Sequence, residues 1–250
     1  MMTLLINEIR LYGNLKRSSV LFAADRRITK EGKFHSNRKK IFKIPYLNAG
    51  VGYFGLACLN PNDYFSSWLP NIIRNNTNIV TLEEFAFRLR DNLNSNVNKT
   101  LLIDNHSGFH VCGYNKDNHP ELWFIRNIES MEGNTYIGFN DEYQVSEDFI
   151  RRDAKEAGFV NKTSELPVAL YQYYVNGDVR PFHAIWKELD GFISKMFSQK
   201  DFKAPRSYDD LIKISKWKMQ IIASFYKHFA DKQLIGTPID SFMVLPKQSV

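Results

Sequence analysis

The amino-acid sequence predicts an α+β fold, a four-layer αββα sandwich of two antiparallel sheets flanked by helices. Three observations carry that expectation. Segments of alternating polar and apolar residues open the chain. Two amphipathic helical stretches then interrupt the strands, which return. A helix-rich part, about 141–231, precedes one last strand. Two stacked sheets with helices outside would bury all of these apolar faces at once. No repeat, low-complexity tract or long linker divides the 250 residues, so a single domain over 1–250 is expected.

Glu8-Ile9-Arg10-Leu11 alternates as a half-buried strand should, Gly13-Asn14 supplies a turn, and the apolar run Val20–Ala24 is the returning strand. Lys40–Ile44 alternates again and ends at Pro45. Ala49–Phe54 is glycine-spaced and apolar, as in a strand packed close to another backbone. Asn60-Pro61 signals a helix start, with Tyr64, Phe65, Trp68, Leu69 and Ile72 as its stripe. Thr81 with Glu84 forms a capping-box pattern ahead of Phe85, Phe87, Leu89 and Leu93.

Phe109–Tyr114 and Leu122–Ile128 flank a turn-rich connection and read as a hairpin, with a short strand at Tyr136-Ile137-Gly138. Glu142–Asp231 is expected to be mostly helical. Within it, Tyr171, Tyr173, Tyr174, Phe182, Trp186, Phe192 and Phe197 form an aromatic-rich helical region that packs a core or, failing that, an assembly surface. The clearest helix starts at Ser207 with Asp210 and aligns Leu211, Ile214, Trp217, Ile221, Phe225 and Phe229. Pro238–Leu245 closes the chain as a strand.

Two cysteines, Cys58 and Cys112, sit among apolar or small residues and read as free buried thiols, which suits a reducing compartment. No stretch has the length of a membrane span and no secretory signal is visible, so a cytoplasmic protein without membrane partners is expected. The formal net charge of +6 could favour nucleic acid. The cations are dispersed, however, and the densest cluster, Arg38-Lys39-Lys40 with Arg26-Arg27 nearby, lacks interleaved aromatics to stack bases. No nucleic-acid partner is expected. His106 and His110 are four apart, but Gly108 between them and a strand-like context argue against a helical metal pair. Gly50-Val51-Gly52 lacks the following helix that a phosphate loop needs. No cofactor or metal is implied.

Four segments, in order, carry a resemblance. Val20–Thr29 ends a strand in Asp25 followed by an arginine turn. Lys39–Ile44 bears a lysine at a strand start. Gly52–Ala57 is a glycine-containing strand end. Ile235–Asp240 is a loop entering a strand. Together these resemble the proteasome β-type N-terminal-nucleophile hydrolases, nearest in kind to the bacterial HslV and Anbu proteins. The strong part covers about residues 18–57 and a weaker part 231–245.

What the resemblance implies is a threonine-type peptidase acting on peptide or protein substrates, in a homo-oligomer that could close as a ring. Thr3 would be the nucleophile and, once it leads the chain, its α-amine the base. Lys40 would stabilise the alkoxide and Asp25 would hold Lys40. The Gly55 amide would serve as oxyanion donor, and Asp231 would belong to the supporting shell. Phe139, after Gly138, and Leu234, after Asp231, stand where the family places serines. Initiator methionine is trimmed efficiently before a small residue and not before another methionine. Translation from Met2 would therefore expose Thr3, and translation from Met1 would leave it blocked. The alternative is a catalytically inactive scaffold or assembly subunit that kept the fold. A basic nucleic-acid-binding module is a third and weaker reading.

Overall fold

Strand pairing organises the protein. The computed structural model describes residues 3–12, 14–30, 32–132, 135–146, 148–150 and 169–247. One four-stranded antiparallel sheet runs in the order β12 (Ala169–Gly177), β1 (Leu4–Tyr12), β2 (Asn14–Asp25), β13 (Ile239–Val244). A five-stranded antiparallel sheet runs β11 (Thr135–Val145), β10 (Pro120–Glu132), β9 (Ser107–Tyr114), β6 (Ala49–Gly55), β5 (Ile41–Ile44). Two short ribbons, β3 (Arg27–Lys30) with β4 (Lys33–Asn37) and β7 (Cys58–Asn60) with β8 (Asp63–Tyr64), complete an α+β architecture.

Alternation along the strands sorts the core. Leu5, Ile9, Val20, Phe22 and Ala24 of the first sheet share one buried cluster with Phe54, Cys112, Leu122 and Phe124 of the second. The glycines of β6 allow this approach. A methyl group on Gly50 would lie 2.8 Å from both Phe22 and Phe242, and one on Gly52 would lie 2.7 Å from Leu5. On β1 and β2 the intervening residues Leu4, Ile6, Leu21 and Ala23 join Trp186, Met219, Ile222 and Ala223. On β6 and β9, Val51, Tyr53, Phe109 and Val111 join α1 (Phe65–Asn75) and α2 (Leu82–Asn96). Each fully buried Leu, Ile, Val, Phe or Met among these contributes about 1.5–3 kcal/mol relative to exposure. Cys58 and Cys112 are buried free thiols.

Local signals start two helices as expected. Glu84 donates its N–H to the Thr81 hydroxyl at 3.1 Å. Ser207 and Asp210 exchange both capping bonds, at 3.2 and 3.1 Å. The Asn60-Pro61 signal proves to be the turn of the β7–β8 ribbon, and α1 begins at Phe65. A five-residue helix, α3 (Lys99–Ile103), leads into β9.

Two expectations for the C-terminal part are corrected. The expected helical stretch from Glu142 onward instead begins inside β11, which continues to Val145, and the Tyr171–Tyr174 region is strand β12, paired along its whole length with β1. Tyr174 faces the inter-sheet cluster while Tyr173 and Val175 face the opposite side, a period of two. A run rich in tyrosine and closed by Val175 was the signal for that strand. Residues 151–168, also expected to be helical, lie outside the described residues. True helices follow: a π-type turn at Phe182–Trp186 leads into α4 (Lys187–Phe197), and α5 (Tyr208–Phe229) comes next.

The buried face of α5 is also rotated from the expected stripe. Ser215, Lys218, Met219, Ile222 and Ala223 are buried, whereas Trp217, Phe225 and Phe229 are exposed, Phe229 by 81%. Small and flexible residues, rather than aromatics, let this helix approach the sheet.

Two substitutions check that packing by urea denaturation. Met219→Ala is expected to cost about 2–5 kcal/mol, and Phe229→Ala less than about 0.5 kcal/mol. Equal losses would reject the assigned face. Gly50→Ala is expected to cost about 1–3 kcal/mol through overpacking between Phe22 and Phe242.

Candidate active site

Thr3 stands immediately before β1, Asp25 ends β2, and Lys40 immediately precedes β5 in the other sheet. The β1–β2 register pairs Leu5 with Ala24, so Asp25 falls beside Leu4 and Thr3. All three residues are at most 2% exposed. The Thr3 hydroxyl donates to Asp25 Oδ1 at 2.7 Å, and the Leu4 N–H donates to the same oxygen at 3.0 Å. Lys40 Nζ donates to Thr3 Oγ1, to Asp25 Oδ1 at 3.3 Å and to the Arg27 carbonyl at 2.6 Å. Asp25 Oδ2 accepts from the Arg27 N–H at 3.0 Å.

Lys40 thus directs three donors at three acceptors, the full capacity of an ammonium. A buried charge is tolerated only when paired and hydrogen-bonded in this way. Burial pushes the Lys40 pKa down, and Asp25 opposes that shift. The arrangement presents one hydroxyl oxygen to a cation while a carboxylate accepts its proton.

Gly55 ends β6 with φ +75°, and a methyl group there would lie 2.1 Å from the His106 carbonyl oxygen. Only glycine fits that strand end. Asp231 lies elsewhere. It is exposed and lines a groove of about 500 Å³ with Arg180, Ile185, Tyr226 and Leu234. Among the described residues it makes no hydrogen bond to Thr3, Asp25 or Lys40.

Gly138 and Phe139 lie on β11, where Gly138 packs against Glu129 and Phe139 lies 6.2 Å, ring to ring, from His106. The glycine that meets Thr3 is Gly177, at φ +94°, where a methyl group would come within 1.8 Å of the Thr3 carbonyl oxygen. Asp178 then donates its N–H to that oxygen at 2.7 Å. The Asp178 carboxylate accepts from Arg180 Nε and Nη2, each at 2.7 Å, and from the Tyr226 hydroxyl. Burial alone would raise the Asp178 pKa; the Arg180 and Tyr226 hydrogen bonds hold it below the ordinary value. Sequence reasoning missed this pair, although Asn176-Gly177-Asp178 directly after an aromatic alternation is a turn signal.

The two histidines four apart serve packing and hydrogen bonding. His110 Nδ1 meets Asn7 Oδ1 at 2.6 Å and its Nε2 meets Asn176 Nδ2 at 2.8 Å. Tyr136 extends the chain, donating to Asn176 Oδ1 at 2.8 Å and accepting from the Gly177 N–H at 3.1 Å. A polar thread therefore runs between the sheets to the residue beside Thr3. His106 packs against Tyr136 and Phe54. Among the described residues no group of three or more histidine, cysteine or carboxylate side chains could hold a metal ion. No described helix is long and apolar enough to cross a membrane.

Comparison with family models and with curated proteins returns no match. Among solved structures, Anbu (ancestral beta-subunit) from Yersinia bercovieri is similar at 12% identity. The alignment covers 96% of this chain and 82% of that one, with a TM-score of 0.48. A likeness of that degree carries no argument about what this chain does.

Burial holds His110 at about 3 and His106 at about 4, against an ordinary 6.5. The folded state keeps both neutral while the unfolded chain takes up protons below 6.5, so stability falls as pH drops through that value. By pH 5 the loss is about 2 kcal/mol per histidine. Urea midpoints at pH 7 and pH 5 should record it, and His110→Gln should remove about half of the pH slope whatever it does to absolute stability. An unchanged slope would contradict the burial of His110. Gly177→Ala, forced against the Thr3 carbonyl, should cost more than about 2 kcal/mol.

Proposed function

We propose that the protein is a threonine-type amide hydrolase, acting on peptides, whose nucleophile is Thr3 once the residues before it are removed. The observation that carries this reading is the buried group of Thr3 hydroxyl, Asp25 carboxylate and Lys40 ammonium. A hydroxyl is a weak nucleophile at neutral pH and needs a base and a stabiliser for its developing charge. A freed Thr3 amine supplies the base, because an α-amine titrates near 8 and a neighbouring ammonium lowers it further. In the first step the amine takes the hydroxyl proton and Oγ1 attacks the amide carbonyl. The oxyanion forms towards the Gly55 N–H, with Lys40 offsetting the charge at Oγ1. The protonated amine then passes its proton to the departing amine, which leaves an ester on Thr3. Water, deprotonated by the same amine, releases the acid.

The proposal includes the fold in which such sites are built, four layers in the order α, β, β, α. Its support is the sharing of one apolar cluster by the two sheets, with α1 and α2 packed beyond one sheet and α5 beyond the other. Asp231 keeps at most an indirect role, because Tyr226 and Arg180 stand between its groove and Asp178. A second reading, an inactive scaffold that assembles with copies of itself, is favoured by a separate observation. The residue after the glycine that meets Thr3 is Asp178, which brings a carboxylate rather than a hydroxyl and is already engaged by Arg180 and Tyr226.

Intact-mass measurement and labelling separate the two. The active reading expects a mature chain beginning at Thr3 and one epoxyketone or β-lactone adduct per chain on that residue. Thr3→Ser should keep part of the peptidase activity. Thr3→Ala should lose it by at least about a hundredfold. A chain retaining Met2, with no adduct and no turnover, would leave only the scaffold.

A further inference from the structure

Two arginines adjoining the Asp25–Lys40 pair along the chain carry guanidinium groups with no ion pair among the described residues. Arg38 stands two residues before Lys40, and its backbone N–H is bound to the Arg26 carbonyl at 2.8 Å. Its half-buried guanidinium lies 4.2 Å above the Tyr64 ring, yet its Nε is buried without a hydrogen-bond partner. Two positions earlier, Ser36 Oγ is buried and unpartnered as well. Arg27, whose backbone anchors both Asp25 and Lys40, places its guanidinium 5.0 Å from the Phe34 ring, again with Nε buried and unpartnered.

The nearby carboxylates are spoken for or turned away. Asp25 is bound to Lys40, and Asp240 holds Arg26 through bonds of 2.6 and 2.7 Å. Asp63, next to Tyr64, is exposed and forms no ion pair with Arg38 among the described residues. A guanidinium keeps its charge at any working pH, and leaving its buried donor unmade costs free energy. The natural complement is a carboxylate, which a guanidinium grips with two parallel bonds.

We infer that the Thr3 site selects acidic peptide segments, with a glutamate or aspartate side chain of the substrate completing Arg38 and the Ser36 hydroxyl, and Arg27 adding charge from the neighbouring ribbon. This rests on the peptidase reading for its purpose, but the recognition of the anion can be tested without turnover.

Fluorescence anisotropy of dye-labelled peptides that differ only in a central Glu, Gln or Lys, titrated with the full chain carrying Thr3→Ala, reads binding alone. The Glu peptide should bind about tenfold more tightly than the Gln peptide, as one charge-assisted pair provides. Adding Arg38→Gln should erase that difference while the Gln peptide binds unchanged. Adding Arg38→Lys should restore only part, since an ammonium lacks the fork. Equal affinity for Glu and Gln peptides, no binding of any of them, or a preference that survives Arg38→Gln would overturn the inference. In the unsubstituted protein the same preference should appear in kcat/KM. If no peptide is cleaved yet the Glu preference in binding stands, the hydrolase reading fails and the acidic recognition remains.

Discussion

A lysine ammonium almost out of contact with water must find acceptors for all its protons or give one up. Lys40 finds them on separate parts of the chain: the hydroxyl before β1, the carboxylate ending β2, and a carbonyl at the start of β3. Because Lys40 itself belongs to the approach to β5, this knot ties the ends of the two central strands of one sheet to the edge strand of the other. Asp25 is equally committed, accepting from Thr3, Leu4, Lys40 and Arg27. Removing either charge would strand the other in an apolar setting, an outcome that costs about 3–5 kcal/mol for a buried pair. The positions of Thr3 and of Arg27 at the start of β3 follow from satisfying that pair.

The inter-sheet space has a second polar element with a different logic. Asn7, His110, Asn176 and Tyr136 are neutral and bind one another in sequence, ending at the Gly177 amide. Gly177 presses on the Thr3 carbonyl, and Asp178 binds it. Lys40 therefore fixes the hydroxyl of Thr3 while this thread fixes its backbone. Burial keeps the ring neutral, and protonating His110 would break the thread by setting a second donor against the one from Asn176.

Much of this was legible in the residues. Alternation revealed β1 and β5, a turn and an apolar run marked β2, a turn-rich connection joined β9 to β10, the glycine spacing of β6 announced close packing, and Ser207 with Asp210 marked the start of α5. The pairing of Asp25 with Lys40 was an expectation of the resemblance to proteasome β-type proteins, carried by an acid after an apolar strand and a lysine opening the next. Other features depend on partners distant in sequence. Nothing local distinguishes Gly177 from Gly138, since both take positive φ beside aromatic strands; only the pairing of β12 with β1 delivers the former to Thr3. The α5 stripe misled because aromatics were weighted as core, whereas the sheet demanded the slimmer Ser215 and Ala223. Asp231 had the right spacing to a following strand, but α5 ends where its side chain meets solvent.

The anchoring of Thr3 also bears on whether the site could survive losing the residues ahead of it. Its hydrogen bonds run through Oγ1 to Asp25 and Lys40, and through its carbonyl to Asp178, while the adjoining Leu4 N–H binds Asp25. Every one of these groups lies on the C-terminal side of, or branches from, the Thr3 Cα. Cleavage before Thr3 would spare all of them and add one amine within reach of the same hydroxyl, because the two groups are on adjacent carbons. That amine would meet Lys40 across the hydroxyl, and the repulsion between two cations would favour its neutral, basic form. The change from a held hydroxyl to a reactive one then needs no rearrangement of the sheets, only the loss of a peptide bond.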